Sequence, residues 1–246
     1  MTAAGALTVI PVEGLPEIEQ GDPLGRLIAE RSEISEGDVL VVSQKAVSKA
    51  EGRLRRLTSV IPGTEARKLA ALLGRDPALV QLVLDESREV IRAERGVLIT
   101  ETRQGLVCAN AGIDSSNLPE DIVSLLPEDP DASARRIRGE IGLRVGVVVS
   151  DSFGRAWRLG QSEVAIGSAG LRPLDDWRGR RDAEGRKLAA TLIAIADEAA
   201  AAGDLVRDKT SRVPAAIVRG LERHVTEDDG PGAAALIRPR AEDLFR

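Results

Sequence analysis

The sequence predicts an α+β fold of complex, mixed topology. Three observations carry that expectation. Short apolar runs of strand length, such as Val39-Leu40-Val41-Val42 and Val145 to Val149, are interspersed with stretches whose apolar residues recur at helical spacing. The two kinds do not alternate regularly, as a doubly wound sheet would require. The chain has 246 residues and is 43% hydrophobic, enough for a sizeable core in one domain, 1–246, built as one unit or two interlocked lobes.

The elements follow in order. Leu7 to Val12 reads as an opening strand, and Gly14-Leu15-Pro16-Glu17-Ile18 as a turn-rich loop. Asp22-Pro23 starts a helix through Leu27 and Ile28, with the proline where its missing N–H costs little. Asp38 to Ser43 is a buried strand that runs into Gln44-Lys45-Ala46-Val47-Ser48-Lys49-Ala50-Glu51-Gly52. Thr64 to Leu73 is a helix with Leu69, Leu72 and Leu73 inward, closed by Gly74. Asp76-Pro77 opens another, through Leu84. Val90-Ile91, Val97 to Ile99 and Leu106-Val107 are short strands, with Arg103-Gln104-Gly105 as a hairpin turn. Asp131 caps a helix running to about Leu143. Val145 to Val149 and Val164 to Ile166 are strands. Arg186 to Ala202 reads as the clearest helix, with Leu188, Leu192 and Ile195 at helical spacing and Gly203 as its stop. Pro214 to Val218 is a late strand.

Composition narrows the function. The net charge of −5 and the scarcity of aromatic residues (two Trp, two Phe, no Tyr) argue against a nucleic-acid surface. Cys108 is the one cysteine, so neither an internal disulfide nor a cysteine metal cluster is available, and its apolar setting suits an inert thiol. Met1 to Ile10 lacks a signal-peptide pattern, and the alanine-rich stretch Ala189 to Ala202 carries Asp197 and Glu198, so no membrane span is expected and the cytoplasm is the default. There is no G-x-x-x-x-G-K-[ST] loop and no G-x-G-x-x-G fingerprint. The lone histidine, His224, lies among charged residues and reads as a solvated surface group.

Two acidic loops stand out, each following an apolar run. One is Ala109-Asn110-Ala111-Gly112-Ile113-Asp114-Ser115-Ser116-Asn117; the other is Ser150-Asp151-Ser152-Phe153-Gly154-Arg155-Ala156-Trp157-Arg158. Asp114, Asp151 and Ser152 offer the hard oxygens that suit Mg²⁺ or Mn²⁺. Arg155 and Arg158 add groups that suit phosphate or carboxylate, and Lys45 and Lys49 follow a buried strand as candidate phosphate cations. Each piece has a plainer reading: an Asx turn at either aspartate, a solvated helix start at the lysines. The stretch Leu171 to Asp182 is long and charged; its Trp177 suits stacking on a flat heterocycle or a dimer contact.

Taken together, the chain resembles the coenzyme F420-0:L-glutamate ligase family, the gamma-glutamyl ligases of deazaflavin cofactor biosynthesis. The resemblance rests on Gly14-Leu15-Pro16, Gln44 to Gly52, Ala109 to Asn117, Asp151-Ser152-Phe153-Gly154-Arg155 and Pro214 to Gly220, which span nearly the whole chain. It implies an intertwined homodimer of an unusual α+β fold. It also implies a GTP-dependent ligase, served by Mg²⁺ or Mn²⁺ as two ions and with room for K⁺. That enzyme joins L-glutamate to the deazaflavin's terminal carboxylate and then adds further gamma-linked glutamates through acyl phosphates. By match to the family motif, Asp114, Asp151 and Ser152 bind metal, with Asp208 as a further ligand. Leu15, Pro16, Glu17, Ile18, Gln44, Lys45, Lys49, Asn117 and the segment Val206-Arg207-Asp208-Lys209-Thr210-Ser211-Arg212-Val213 face GTP. Lys49 and Arg155 supply catalytic positive charge near the phosphates. Arg207-Asp208-Lys209 departs from the more usual glycine-containing pattern, and Gln104 stands where many relatives carry histidine. The chain also looks like the N-terminal half of a two-domain actinobacterial version whose second half resembles a flavin-binding nitroreductase. Two alternatives remain beside this reading: a ligase for a different acceptor, and a non-catalytic nucleotide-binding module that supports such a second half.

Overall fold

The protein is described here from a computed structural model covering residues 5–208 and 210–245. In chain order its regular elements are β1 (Thr8–Pro11), α1 (Leu24–Ala29), β2 (Val39–Ser43), α2 (Gln44–Ala50), β3 (Leu54–Arg56), α3 (Thr64–Leu73), α4 (Pro77–Asp85), β4 (Ser87–Glu94), β5 (Val97–Thr102), β6 (Val107–Ala109), β7 (Ile122–Ser124), α5 (Pro130–Ile141), β8 (Gly146–Arg155), β9 (Arg158–Ala169), β10 (Asp175–Asp176), β11 (Leu192–Ile193), α6 (Ile195–Asp204) and β12 (Ala215–Arg219). Helices and strands mix without repeat, as the sequence predicts.

Five strands form the main sheet in the order β1-β12-β2-β8-β9. Its centre explains the apolar runs. β2 and β8 pair in parallel from Val39 opposite Gly146 to Ser43 opposite Ser150, and both are covered on two faces. A strand with no wet face needs no polar alternation. Leu40, Val42, Val147 and Val149 face α1 and α5, packing with Leu24, Ile28, Ala134 and Ile137. Val39, Val41 and Val148 face α6, packing with Ala196, Ala199 and Ala200. A third cluster lies elsewhere, where α3 and α4 pack with Leu98, Val123 and Leu125 from β5, β7 and the residue after it.

Local signals set several helix ends. The Asp76 carboxylate accepts from the backbone N–H groups of Ala78 and Leu79 and starts α4, and Gly74 takes a left-handed conformation (φ 63°) that closes α3. Four expectations are corrected. Leu72 points to solvent, because Ala66, Ala70 and Leu73 fill the inward stripe of α3. Asp129, not Asp131, caps α5; the Asp131 carboxylate instead binds the backbone N–H groups of Ser168 and Ala233. The helix expected from Arg186 begins only at Ile195, because residues 186–193 fold back on 175–182 as a hairpin, with Leu188 N–H bonded to Arg180 C=O and β11 paired to β10. His224 is buried, not solvated: the short turn Glu222–His224 is tucked beside the Leu171–Val225 bridge, and Arg223 Nε donates to His224 Nε2 at 2.8 Å.

Candidate active-site cleft

The second acidic loop is not a loop. β8 continues through Ser150, Asp151 and Ser152 to Arg155, paired with β9 the whole way. A register shift between Val149 and Ser150 marks a bulge where the strand leaves the core. β2 has already ended at Ser43, so β8 loses its partner on that side and its edge opens onto a cleft. Where β2 stops, α2 begins at once and carries Gln44, Lys45 and Lys49 over the same opening.

The cleft has a volume of about 800 Å³. Five stretches far apart in sequence line it: Leu15-Pro16-Glu17-Ile18, α2 with the residue before it, Asp114 with Ser116 to Pro119, the β8–β9 pair at Ser150 to Ser152 and Glu163, and a last group of Asp204, Arg207, Asp208, Thr210, Arg212, Val213 and Pro214. Asp114 and Asp151 therefore share one cavity, which is the condition any joint role demands.

Lys45 Nζ sits 2.8 Å from Asp114 Oδ2 and also donates to the carbonyl and hydroxyl of Ser116, at 2.6 and 2.7 Å. Asp114 in turn accepts from the Ser116 backbone N–H at 2.8 Å, so the Asx-turn reading holds alongside its place in the cleft. Burial opposes ionisation there, but Lys45 and Ser116 outweigh it and hold the carboxyl below the ordinary range. Lys49 pairs with Glu17, and Gln44 is locked by donating to Ser48 Oγ and Leu125 C=O. Asp151 behaves oppositely: burial first, then the neighbouring Glu163 and Asp114, push its carboxyl up to about 7.

Some predicted residues are not brought in. Arg155 and Arg158 lie outside the cleft lining; the Arg155 guanidinium turns back to the carbonyls of Leu159 and Gly160 on its own hairpin. Extending β8 as a strand is what carries them away. Val206 and Ser211 also lie outside the lining, whereas Asn117, Arg207, Asp208, Thr210, Arg212 and Val213 lie on it. Lys209 falls outside the described residues. Asp208 Oδ1 is engaged by the Thr210 and Ser211 backbone N–H groups, which fits a turn cap better than a ready ligand. Gln104 donates to the Pro127 carbonyl at 2.9 Å and secures the hairpin turn. Trp177 lies off the cleft with Arg180 stacked 4.9 Å from its ring centroid.

Sequence reasoning missed Glu163 and Asp204, both on the lining. Glu163 had a signal: it is the one acid immediately before the apolar run Val164 to Ile166. Its meaning depends on the β8–β9 register, which sets it opposite Ser152.

The donor set bears on metal binding. Among the described residues no three acidic, histidine or cysteine side chains stand close enough to enclose an ion by themselves. Yet Asp114, Asp151, Glu163 and the Ser152 hydroxyl converge on one cavity, with Asp151 raised by its acidic neighbours. Oxygen-rich but incomplete sites of this kind fit Mg²⁺-like ions, which take one or two carboxylates and fill the remainder with water and substrate phosphates. No described helix is long and apolar enough to cross a membrane.

Lysines and carboxylates from separate segments of an α+β scaffold meet in one polar cleft. The chain belongs to the F420-0:gamma-glutamyl ligase family, whose model matches residues 14–220. It is 43% identical to the coenzyme F420:L-glutamate ligase of Methanopyrus kandleri, covering 98% of this chain and 100% of that protein. It is 42% identical to the protein of the same name from Methanothermobacter thermautotrophicus, over 98% and 99%. For the Archaeoglobus fulgidus protein of that name, identity is 45% over 97% and 96%. The resemblance read from the motifs is thereby borne out.

Proposed function

We propose that this chain is a GTP-dependent ligase that joins L-glutamate to coenzyme F420-0 and then adds further gamma-linked glutamates, with Mg²⁺ or Mn²⁺ as the required ions. Family membership supports the substrate, since the relatives are named for ligating glutamate to this coenzyme. One observation carries the chemistry: Lys45, Lys49, Asp114, Asp151 and Ser152, from separate parts of the chain, line one cleft of about 800 Å³.

A carboxylate does not react with an amine at neutral pH, because its oxygen is a very poor leaving group. In the proposed sequence, an oxygen of the coenzyme's terminal carboxylate takes the gamma-phosphoryl group of GTP and GDP departs. The amine of glutamate, its ammonium proton given up to water, then attacks the acyl carbon; the nitrogen loses its second proton to water or the departing phosphate, an amide bond forms, and inorganic phosphate leaves with the oxygen. Lys45 and Lys49 hold positive charge against the triphosphate, fixed on the first and last turns of α2 by the packing of Ala46 and Val47 into the core. The Lys49–Glu17 ion pair must open for Lys49 to engage phosphate. Asp114, Asp151 and Ser152 are the residues that would hold divalent ions. When bound, such ions neutralise charge on the phosphates and polarise the transferring group.

The proposed working form is a cytoplasmic homodimer. Trp157 and Leu159, at the tip of the β8–β9 hairpin, are 82% and 97% exposed, and Trp157 has Phe245 5.0 Å away as its aromatic neighbour. Clustered apolar side chains of this size suit an interface.

The deciding experiment is mass spectrometry of the deazaflavin after incubation with GTP, glutamate and Mn²⁺. We expect mass increments of one or more glutamyl residues from the parent protein. Asp151→Asn should lower the rate by about 100-fold or more, as loss of a metal-holding or charge-stabilising group does. No glutamyl product from the parent would end the proposal; an undiminished Asp151→Asn rate would end the metal assignment alone.

A further inference from the structure

Glu163 touches the cleft yet belongs to none of the motifs. It sits on β9 directly opposite Ser152 on β8, and both residues project to the α6 side of the sheet, as period-two alternation from Ala165 and Ser150 requires. Its two oxygens have different partners. Oε1 accepts the Ser152 hydroxyl at 2.5 Å, and Oε2 faces Arg207 Nη2 at 3.4 Å. The Glu163 and Arg207 side chains are 7% and 5% exposed, so this is an ion pair nearly out of water.

Arg207 is itself fixed. Its Nε donates to the Gly203 carbonyl at 3.1 Å, Nη1 to the Pro214 carbonyl at 3.3 Å and Nη2 to Ser150 Oγ at 3.2 Å. The guanidinium therefore ties the end of α6, the start of β12 and β8 to one point. An arginine can only donate, so the carboxylate it holds accepts. A hydroxyl has a single proton. With that proton committed to Glu163, Ser152 oxygen acts towards the cleft as an acceptor. Left to rotate, the same hydroxyl would present its proton to the cleft for part of the time and repel a cation.

We propose that Glu163, held by Arg207, is a positioning residue that sets Ser152 as an oxygen ligand for a divalent cation. The inference rests on the functional reading above, in which Ser152 helps to hold the metal. It explains why a charge pair is retained out of water at this point. Burying two charges is seldom the most stable arrangement, and apolar residues of like volume often do as well or better. Partners behind metal ligands commonly fix their orientation, and their loss costs about 10- to 100-fold in metal affinity.

The test measures Mn²⁺ affinity, by the electron paramagnetic resonance signal of free Mn²⁺, with the full chain saturated with GDP. Glu163→Gln should weaken Mn²⁺ binding about tenfold or more. Ser152→Ala should weaken it comparably. The decisive comparison is the double variant: if Glu163 acts through Ser152, adding Glu163→Gln to Ser152→Ala costs little further. Removing one charge of a buried pair can impair folding, so the same measurement is made on Glu163→Gln combined with Arg207→Gln, which leaves no charge unpaired and should show the same tenfold loss. Unchanged Mn²⁺ affinity in these variants overturns the proposal, as does a full tenfold loss from Glu163→Gln in the Ser152→Ala background. Failure of the parent protein to bind Mn²⁺ would overturn the functional reading as well.

Discussion

At the scale of single residues, Asp114 and Asp151 show how environment divides two like groups. Asp114 is stabilised as a carboxylate by Lys45 and the Ser116 N–H, while Asp151 lies deeper, beside Glu163 and Asp114, and is pushed up to about 7 from 3.8. The difference makes a prediction about stability. Between those two values the folded protein, without bound metal, keeps a proton on Asp151 that the unfolded chain has released. Its stabilising contribution is complete below 3.8 and is lost as pH rises through about 7. Denaturant midpoints measured in EDTA should fall with rising pH across that window, and Asp151→Asn should lessen the fall. An identical slope in the variant would assign the effect to another group. Cys108 is the quiet counterpart: burial, then Asp151, push its thiol up to about 12, which keeps it unreactive. That inertness was legible from its apolar neighbours. The burial of His224 was not, because its immediate sequence is charged and only the fold of 171–225 covers it.

At the scale of elements, the site exists because two neighbouring strands end at different points. β2 stops at Ser43 and turns into α2, while β8 runs on. The packing that holds this arrangement uses close backbone approach. At Gly167 on β9 a Cβ would lie 2.2 Å from the Pro130 carbonyl oxygen at the start of α5. Gly167→Ala should therefore destabilise the protein by about 1–3 kcal/mol or more, since backbone must move to admit a methyl group. At Gly154, near the hairpin tip, nothing lies within 4 Å. Gly154→Ala should be near neutral by the same denaturant measurement, and equal losses at both positions would refute the packing argument. Helix ends at Gly74 and Asp76 were legible because caps are local. Leu188 and Leu192 carry helical spacing but do not form a helix, because backbone pairing with 175–182 takes those residues. Local periodicity lost to a tertiary hairpin.

At the scale of the molecule, the long β8–β9 hairpin ends in exposed apolar side chains, and the proposed homodimer covers them. Light scattering should give twice the chain mass of 26.1 kDa, and Trp157→Ser with Leu159→Ser should shift the protein towards the single-chain mass. A parent protein with the single-chain mass at micromolar concentration would remove the dimer from the proposal. The same hairpin carries Arg155 and Arg158 away from the cleft of their own chain, which is why two arginines close in sequence to Asp151 are remote from it in space.

The sequence by itself determined the mixed fold class, most strand positions, the helix ends at Gly74 and Asp76 and the family, because each depends on runs of neighbouring residues or on motifs kept in order. It also marked Asp114, Asp151, Lys45 and Lys49 by residue type. Only the tertiary structure decided that these four share a cavity, that Arg155 does not, and that Glu163 and Arg207 stand behind Ser152. The physical reason is register: which residues face each other across β8 and β9, and where β2 ends beside β8, follow from long-range backbone pairing that no local pattern encodes.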